Sequence, residues 1–419
     1  MSREVEVHVD LDGQTHLVGR LWSRLNKGRE GASFAYDSSW LASPLRFPLE
    51  PALSLDKGSH HTRQGHSLFG ALGDSAPDRW GRMLMKRMER RTAEREGRTS
   101  RALLEIDYLL RVDDAIRPGA LRFKEAGAKS FLASGSPKIP PVVYLSKLLS
   151  ASDRVVADKE SDEDLRLLLA PGSSLGGARP KAAVTDSDGR LLIAKFPHAE
   201  DEYSVERWSF LALNLARKAG INIPPCSIAS VDDRSVLLVE RFDRQGARRI
   251  PFLSAMSMLG AADGETHSYL EMVDALRQYG AAPKKDQREL WRRVLFSVLI
   301  SNVDDHLRNH GFLYDSAQRG WHLSPAYDIN PVPPDMKAPF LSTFINERDN
   351  AASFDLVVST GEYYGLTATD MKQVVKETVT GVAGWRTDAA KTGISRSEID
   401  RMTGAFENEA HDAARAFVK

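Results

Sequence analysis

Residues 301–331 read SNVDDHLRNHGFLYDSAQRGWHLSPAYDINP. The stretch follows an apolar helical pattern and gathers Asp304, Asn309 and Asp328, the first two separated by a step of five. Carboxylate and amide oxygens suit a hard cation; magnesium takes only one or two carboxylates and keeps several waters. One Asn and one Asp meet that demand, which leaves Asp304 free to act as a base. Taken singly, each of these residues also reads as a cap or turn, because Asp and Asn satisfy free backbone groups. His306 and His310 stand four apart, as in a zinc HExxH helix, but the Glu is missing and no third soft ligand is near. His306 is expected to brace the loop by hydrogen bonds.

The 419-residue length exceeds what one hydrophobic core usually covers, so two or three domains are expected. A hydrophobic content of 42%, a charged content of 27% and zero formal net charge describe an ordinary globular chain with no global pull toward nucleic acid or membrane. Cys226 is the sole cysteine, which excludes an intramolecular disulfide and fits a reducing compartment, the cytoplasm. MSREVEVHVD alternates charged and apolar residues, a strand pattern and not a signal peptide. The apolar run near Val294–Ile300 is too short to span a bilayer.

Residues 1 to about 45 read as strands: VEVHVDL, LVGRLW and ASFAYDSSWL. The segment after them, to about residue 75, reads as loop, with His60, His61 and His66 solvated in GSHHTRQGH. SAPDRWGRMLMKRMERRTAEREGR predicts a helix with Pro77 near its start. Its Arg79, Arg82, Lys86, Arg87, Arg90 and Arg91 read either as a solvated face paired with Glu89 and Glu94, or as a contact for an acidic partner or DNA. KAAVTD and RLLIAKF predict two strands joined by the turn DSDG. Residues 203–219 predict an amphipathic helix with Trp208, Leu211, Leu215 and Ala219 on one face. SVLLVERFDR reads as a buried strand with a polar exit, and the pattern from about 250 onward is mainly helical.

GSSLGGARPK (172–181) lacks the Walker spacing and the strand–glycine–helix order of a dinucleotide site. Its glycines, Gly176 and Gly177 among them, let backbone amides approach a phosphate, although a flexible turn has the same composition. Lys181 and Lys195 are candidate phosphate partners. Lys195 ends a strand one hairpin after the glycines, where protein kinases keep the Lys that pairs with ATP phosphates. Glu202 and Glu206 open the following helix, where they either face that Lys or complement the helix dipole. Backbone groups around Glu240 and Phe242, in VERFDR, stand where a hinge would meet adenine. The step of five from Asp304 to Asn309 is also the kinase catalytic-loop spacing, in which the Asp accepts the hydroxyl proton and the Asn binds magnesium.

SSLGGARPK, LIAKFP, NLARKAGINIPP, LLVERFDR, NVDDHLRNHGFL and SPAYDINP together resemble, in order over residues 172–331, the HipA family of serine/threonine kinase toxins from bacterial toxin–antitoxin pairs. LVGRLW with FAYDSSWL, and LFGALGDSAPDRWGR, look like that family's N-terminal subdomain. The resemblance implies an α+β, two-lobed protein-kinase-like fold. Residues 1–120 would form a β-rich N-terminal subdomain, 121–247 an N-lobe with glycine loop and hinge, and 248–419 a helical C-lobe with the catalytic and metal loops. It implies ATP and Mg2+ as cofactors, Asp304 as catalytic base, Asn309 and Asp328 as metal ligands, and Gly176, Gly177, Lys181, Lys195, Glu240, Phe242 and His306 around ATP. Ser174 matches the autophosphorylated serine of the family, with Ser173 adjacent; a phosphate there adds nearly two negative charges inside a phosphate-binding nest and should inactivate the enzyme. Ser209 stands where relatives often have the helix Glu that pairs with the Lys. The implied partners are a helix-turn-helix antitoxin of HipB type, operator DNA through it, and a protein substrate for which aminoacyl-tRNA synthetases are the precedent. A small-molecule kinase on the same scaffold and a catalytically silent, DNA-associated co-repressor are the alternatives. The first shares all of this chemistry, whereas the second has no physical need for Lys195, Asp304, Asn309 and Asp328 together.

Overall fold

A computed structural model describes residues 3–134, 139–169 and 177–419. By proximity along the backbone, Met1–Glu200 with Ser230–Leu253 form one unit, and Asp201–Ala229 with Ser254–Lys419 a second.

In the first unit, β1 (Arg3–Leu11), β2 (Gln14–Asn26), β3 (Arg29–Tyr36), β4 (Ser59–His61) and β5 (Leu121–Lys124) form an antiparallel sheet in the order β4-β3-β2-β1-β5. The alternation in REVEVHVDL buries Val5, Val7 and Val9 on one face, where Val18, Leu21 and Phe34 join them. Two expectations are corrected here. The strand predicted for ASFAYDSSWL stops at Tyr36, because Asp37 accepts from the Ser39 amide and caps a short helix, Ser38–Ala42. The histidines read as a solvated loop instead lie partly on the sheet edge: Ser33 Oγ and His61 Nδ1 are 2.9 Å apart, and the His60 ring meets Tyr36 edge-on.

The helix Arg79–Arg95 begins at Asp78, whose Oδ1 accepts from the Gly81 amide at 2.8 Å. Its arginines are paired mostly outside the helix, not with Glu89 and Glu94. Arg82 makes two hydrogen bonds to Glu105, Arg87 reaches the buried Glu160 at 2.8 Å, and Arg95 reaches Asp162 at 3.2 Å. Glu89 serves Arg98 instead, at 2.8 Å. Arg79, Lys86 and Arg90 remain exposed.

Further along the same unit, β6 (Lys181–Thr185), β7 (Leu191–Lys195) and the strand Arg234–Glu240 run antiparallel, with Lys181 opposite Lys195 and Lys195 opposite Leu237. Beyond the last strand, the fully buried Arg241 and Asp243 pair with each other, Arg241 donating Nε to Oδ1 at 2.6 Å. Asp243 also accepts from the Gly119 amide at 2.8 Å, which fixes the strand exit against the segment before β5.

The second unit is mainly helical. The helix Pro283–Leu299 starts on a Pro that has no amide to waste and runs through the middle, burying Leu290, Trp291, Val294, Leu295 and Phe296. The amphipathic helix Val205–Lys218 buries Trp208, Leu211 and Leu215, and Trp208 packs near Trp385 and Phe406, which stack on each other with centroids 4.5 Å apart. A hairpin, Gly311–Asp315 with Gly320–Leu323, follows the central helix. From residue 324 to 353 there is neither helix nor strand beyond isolated bridges. Among the described residues no helix is long and apolar enough to cross a membrane.

Candidate active site

The helix Pro283–Leu299 gives way at Ser301, a residue in the left-handed region at φ 53°. The chain then enters a loop, one 3-10 turn (Leu307–Asn309) and the strand Gly311–Asp315. Adjacent side chains of this loop face opposite ways. Asp304 is exposed, with Lys337 Nζ 3.0 Å from its Oδ1. Asp305 is buried.

The Asp304 carbonyl accepts from the His306 amide at 3.0 Å and from Asn309 Nδ2 at 3.1 Å, while the Asn309 amide donates to the His306 carbonyl at 2.8 Å. The side chain of Asn309 is thereby tied back across the step of five. Its Nδ2 is used by the loop, and its Oδ1 is the acceptor that a hard cation could take. The expectation for His306 changes: its backbone braces the loop, whereas its buried Nδ1 has no hydrogen-bond partner among the described residues.

Asp328 lies in the left-handed region at φ 57°. Asn330 Nδ2 donates to its carbonyl at 3.2 Å and lies 3.4 Å from its Oδ1. The Asn330 amide in turn donates to Asn302 Oδ1 at 2.9 Å, and Tyr327 Oη to the Arg308 carbonyl at 2.8 Å. These two bonds lay the Asp328 segment beside the loop that holds Asp304 and Asn309. Ser209 reinforces it from the amphipathic helix: buried, it donates to the Ile329 carbonyl at 3.1 Å. Of the two acids at the start of that helix, Glu202 accepts from Arg401 at 2.6 Å, and Glu206 is buried.

In the first unit, Lys181 is buried with Asp78, Nζ to Oδ2 3.0 Å, and the two side chains are only 4% and 3% exposed. Gly177, at φ 97°, lies against this ammonium: a Cβ added there would stand 2.7 Å from Lys181 Nζ. Its left-handed backbone favours glycine at 177, and an added Cβ would also press on the end of the Lys181 side chain. Lys195 is half-buried at the end of β7. Glu240 ends its strand opposite Leu192, with Arg190 Nη1 3.8 Å from its Oε2, and the Phe242 ring lies 6.2 Å from Phe252. Ser173, Ser174 and Gly176 lie outside the described residues.

The donor set around the loop, an Asn amide and an Asp carboxylate, matches magnesium and not zinc in chemistry. His310, one half of the zinc alternative, instead has its Nε2 3.0 Å from Asp305. Asp305, Asn302 and Asp78 are missed by the sequence reading. Asp78 alone left a local trace, as a cap-type residue between Pro77 and a helical pattern.

The model of the HipA-like C-terminal domain matches residues 173–385, half of the chain. "Putative kinase Y4mE" of Sinorhizobium fredii is 26% identical over 95% of this chain and 90% of its own length. The serine/threonine-protein kinase CtkA of Helicobacter pylori is 22% identical over 38% of this chain and 51% of its own. HipA of Shewanella oneidensis, solved with HipB and operator DNA, superposes with a TM-score of 0.66 at 17% identity, covering 99% of this chain and 96% of that one. The fold is therefore the mixed α/β, kinase-like fold of HipA, and since the family match spans the strands β6 and β7, the strand Arg234–Glu240 and its exit, and both aspartate loops described above, the chain belongs to the HipA-like family.

Proposed function

We propose that this chain is an ATP- and magnesium-dependent protein serine/threonine kinase and the toxin of a toxin–antitoxin pair. The observation that carries the reading is the Asp304–Asn309 loop with the Asp328 segment bonded alongside it. In this reading Asp304, exposed and adjacent to a loop-fixed Asn, takes the proton from the attacking hydroxyl. Asn309 and Asp328 would hold magnesium, which when bound neutralises phosphate charge. Lys195, Lys181 and the amides near Gly176 and Gly177 would meet the phosphates, His306 would line the nucleotide site, and the strand exit at Glu240 and Phe242 would receive the adenine.

Kinase names among the relatives support the activity, and the likeness to a HipA solved with HipB and operator DNA supports a helix-turn-helix antitoxin as partner. The exposed Arg79, Lys86 and Arg90 are the candidate contacts to DNA in such a complex. Ser174 is the proposed autophosphorylation site, with Ser173 as its neighbour.

Intact-mass measurement after incubation with ATP and magnesium tests the reading. One added phosphate is expected, on Ser174, absent from Ser174→Ala, and formed roughly 100-fold or more slower by Asp304→Asn. Near-normal transfer by Asp304→Asn would remove Asp304 from the chemistry.

A further inference from the structure

The residue next to the proposed base has no role in the reaction as set out above, yet it is the most heavily bonded side chain of the loop. Asp305 is 4% exposed. Its Oδ2 accepts from Tyr269 Oη at 2.6 Å and from Ser297 Oγ at 3.3 Å, its Oδ1 lies 3.0 Å from His310 Nε2, and its carbonyl accepts from Thr343 Oγ1 at 2.7 Å. These partners come from four places: the helix Tyr269–Tyr279, the central helix Pro283–Leu299, the far end of the loop itself, and the long segment after Asp328. The Tyr269 ring also meets His310 edge-on, with centroids 5.6 Å apart, and the His310 carbonyl accepts from the Ala255 amide at 2.8 Å.

Asp305 adjoins Asp304, and His310 adjoins Asn309. A single carboxylate therefore pins the loop at both ends of the step of five. We propose that Asp305 is a positioning residue: through Tyr269, Ser297 and His310 it holds Asp304 and Asn309 at the separation that phosphoryl transfer needs. Its catalytic consequence rests on the kinase reading; its role in fixing the loop does not.

The side chain is suited to this work as a charged group. Burial alone pushes the Asp305 carboxyl up, but the neighbouring His310 ring and the hydrogen bond from Tyr269 outweigh it and leave it below the ordinary range. Charge-assisted bonds of this kind are shorter and roughly twice as strong as neutral ones. Replacement by Asn keeps the shape and removes the charge.

The test compares full-length wild type, Asp305→Asn, Tyr269→Phe and Asp304→Asn by hydrogen exchange and by steady-state phosphoryl transfer. For Asp305→Asn, exchange in a peptide covering 304–310 is expected to rise about 10-fold or more while that of the helix Pro283–Leu299 stays unchanged. Its kcat is expected to fall roughly 100-fold with KM for ATP nearly constant, the signature of misplaced groups rather than lost binding. Asp304→Asn should lose kcat with no change in loop exchange, which separates a base from a positioning residue. Unchanged loop exchange in Asp305→Asn, or a kcat within a factor of about two of an active wild type, overturns the proposal. Should Asp305→Asn unfold the unit, Tyr269→Phe decides in its place, because it keeps the ring and removes one bond. Loop exchange equal to wild type then rejects the proposal. Absence of phosphoryl transfer from the wild type would count against the kinase reading alone, and loop exchange would still decide the role of Asp305.

Discussion

In the proposed reading Asp328 would be chosen twice, for conformation and for chemistry. At φ 57° a residue with a Cβ costs roughly 1–2 kcal/mol, and Asp and Asn bear that region best because their short polar side chains bond locally. Asp328→Asn should therefore melt as the wild type does while losing magnesium-dependent activity. Asp328→Ala should lose that activity and also about 1 kcal/mol of stability, read from a denaturant midpoint. Glu50 offers a separate test of how burial acts on charge. Its Oε2 accepts from the Ala71 amide at 2.5 Å, yet burial dominates and pushes the carboxyl up to about 7. The folded state thus holds this proton more tightly than the unfolded chain does. Its share of stability is full below the ordinary Glu range, falls as pH rises toward 7, and is flat above that. Glu50→Gln should flatten the loss between pH 4.5 and 7 and stabilise the protein at pH 8, by up to about 3 kcal/mol, measured by thermal melts across pH. Residue identity and spacing singled out Asp304, Asn309 and Asp328 as candidates, and the fold sets their segments side by side. Identity and spacing were not enough for Asp305, because whether two adjacent acids face solvent or core is decided by Tyr269 and Thr343, each more than 30 positions away.

Among the elements, the helix Arg79–Arg95 divides its cations by use. Arg87 and Arg91 converge on Glu160, whose side chain is 1% exposed, whereas Arg79, Lys86 and Arg90 remain at the surface. Glu160→Gln removes one of two counter-charges from each of two partly buried guanidinium groups, which keep Asp158 and Asp162, and should cost about 1 kcal/mol in urea unfolding. Changing Arg79, Lys86 and Arg90 together to Gln should leave stability within about 0.5 kcal/mol, since among the described residues they are exposed and carry no ion pair. In a complex with antitoxin and DNA the same triple change should reduce the salt dependence of DNA retention. The basic composition was plain in the sequence; its partition was not, because Glu105, Glu160 and Asp162 approach only on folding. The strand-to-helix switch at Asp37 illustrates a related limit. SFAY and SSWL share an apolar–polar texture, and one cap residue between them decides where extension stops. The long helix Val205–Lys218 was legible because its apolar face repeats over several turns.

Across the whole molecule, the pair of Asp78 and Lys181 joins positions 103 apart in the chain. Asp78→Ala removes this counter-ion from a buried ammonium and the cap from a helix, and should cost about 2 kcal/mol. Asp78→Leu with Lys181→Met should recover most of that loss, because exchanging both ions for apolar groups of similar size is often neutral or better. A urea series on the two single variants and the double variant measures the coupling.

That same pair bears on how such genes can be rearranged. A descendant that shed the codons for the first 120 residues would keep Lys195, Asp304, Asn309 and Asp328 in frame, and would still inherit a lysine folded around a carboxylate it no longer encodes. Recombination between relatives meets the same obstacle at any crossover between positions 78 and 181. A chimera carrying Asp78 from a parent with the pair, joined to a residue 181 from a parent without it, should express poorly. Swaps that carry both positions together should yield folded protein.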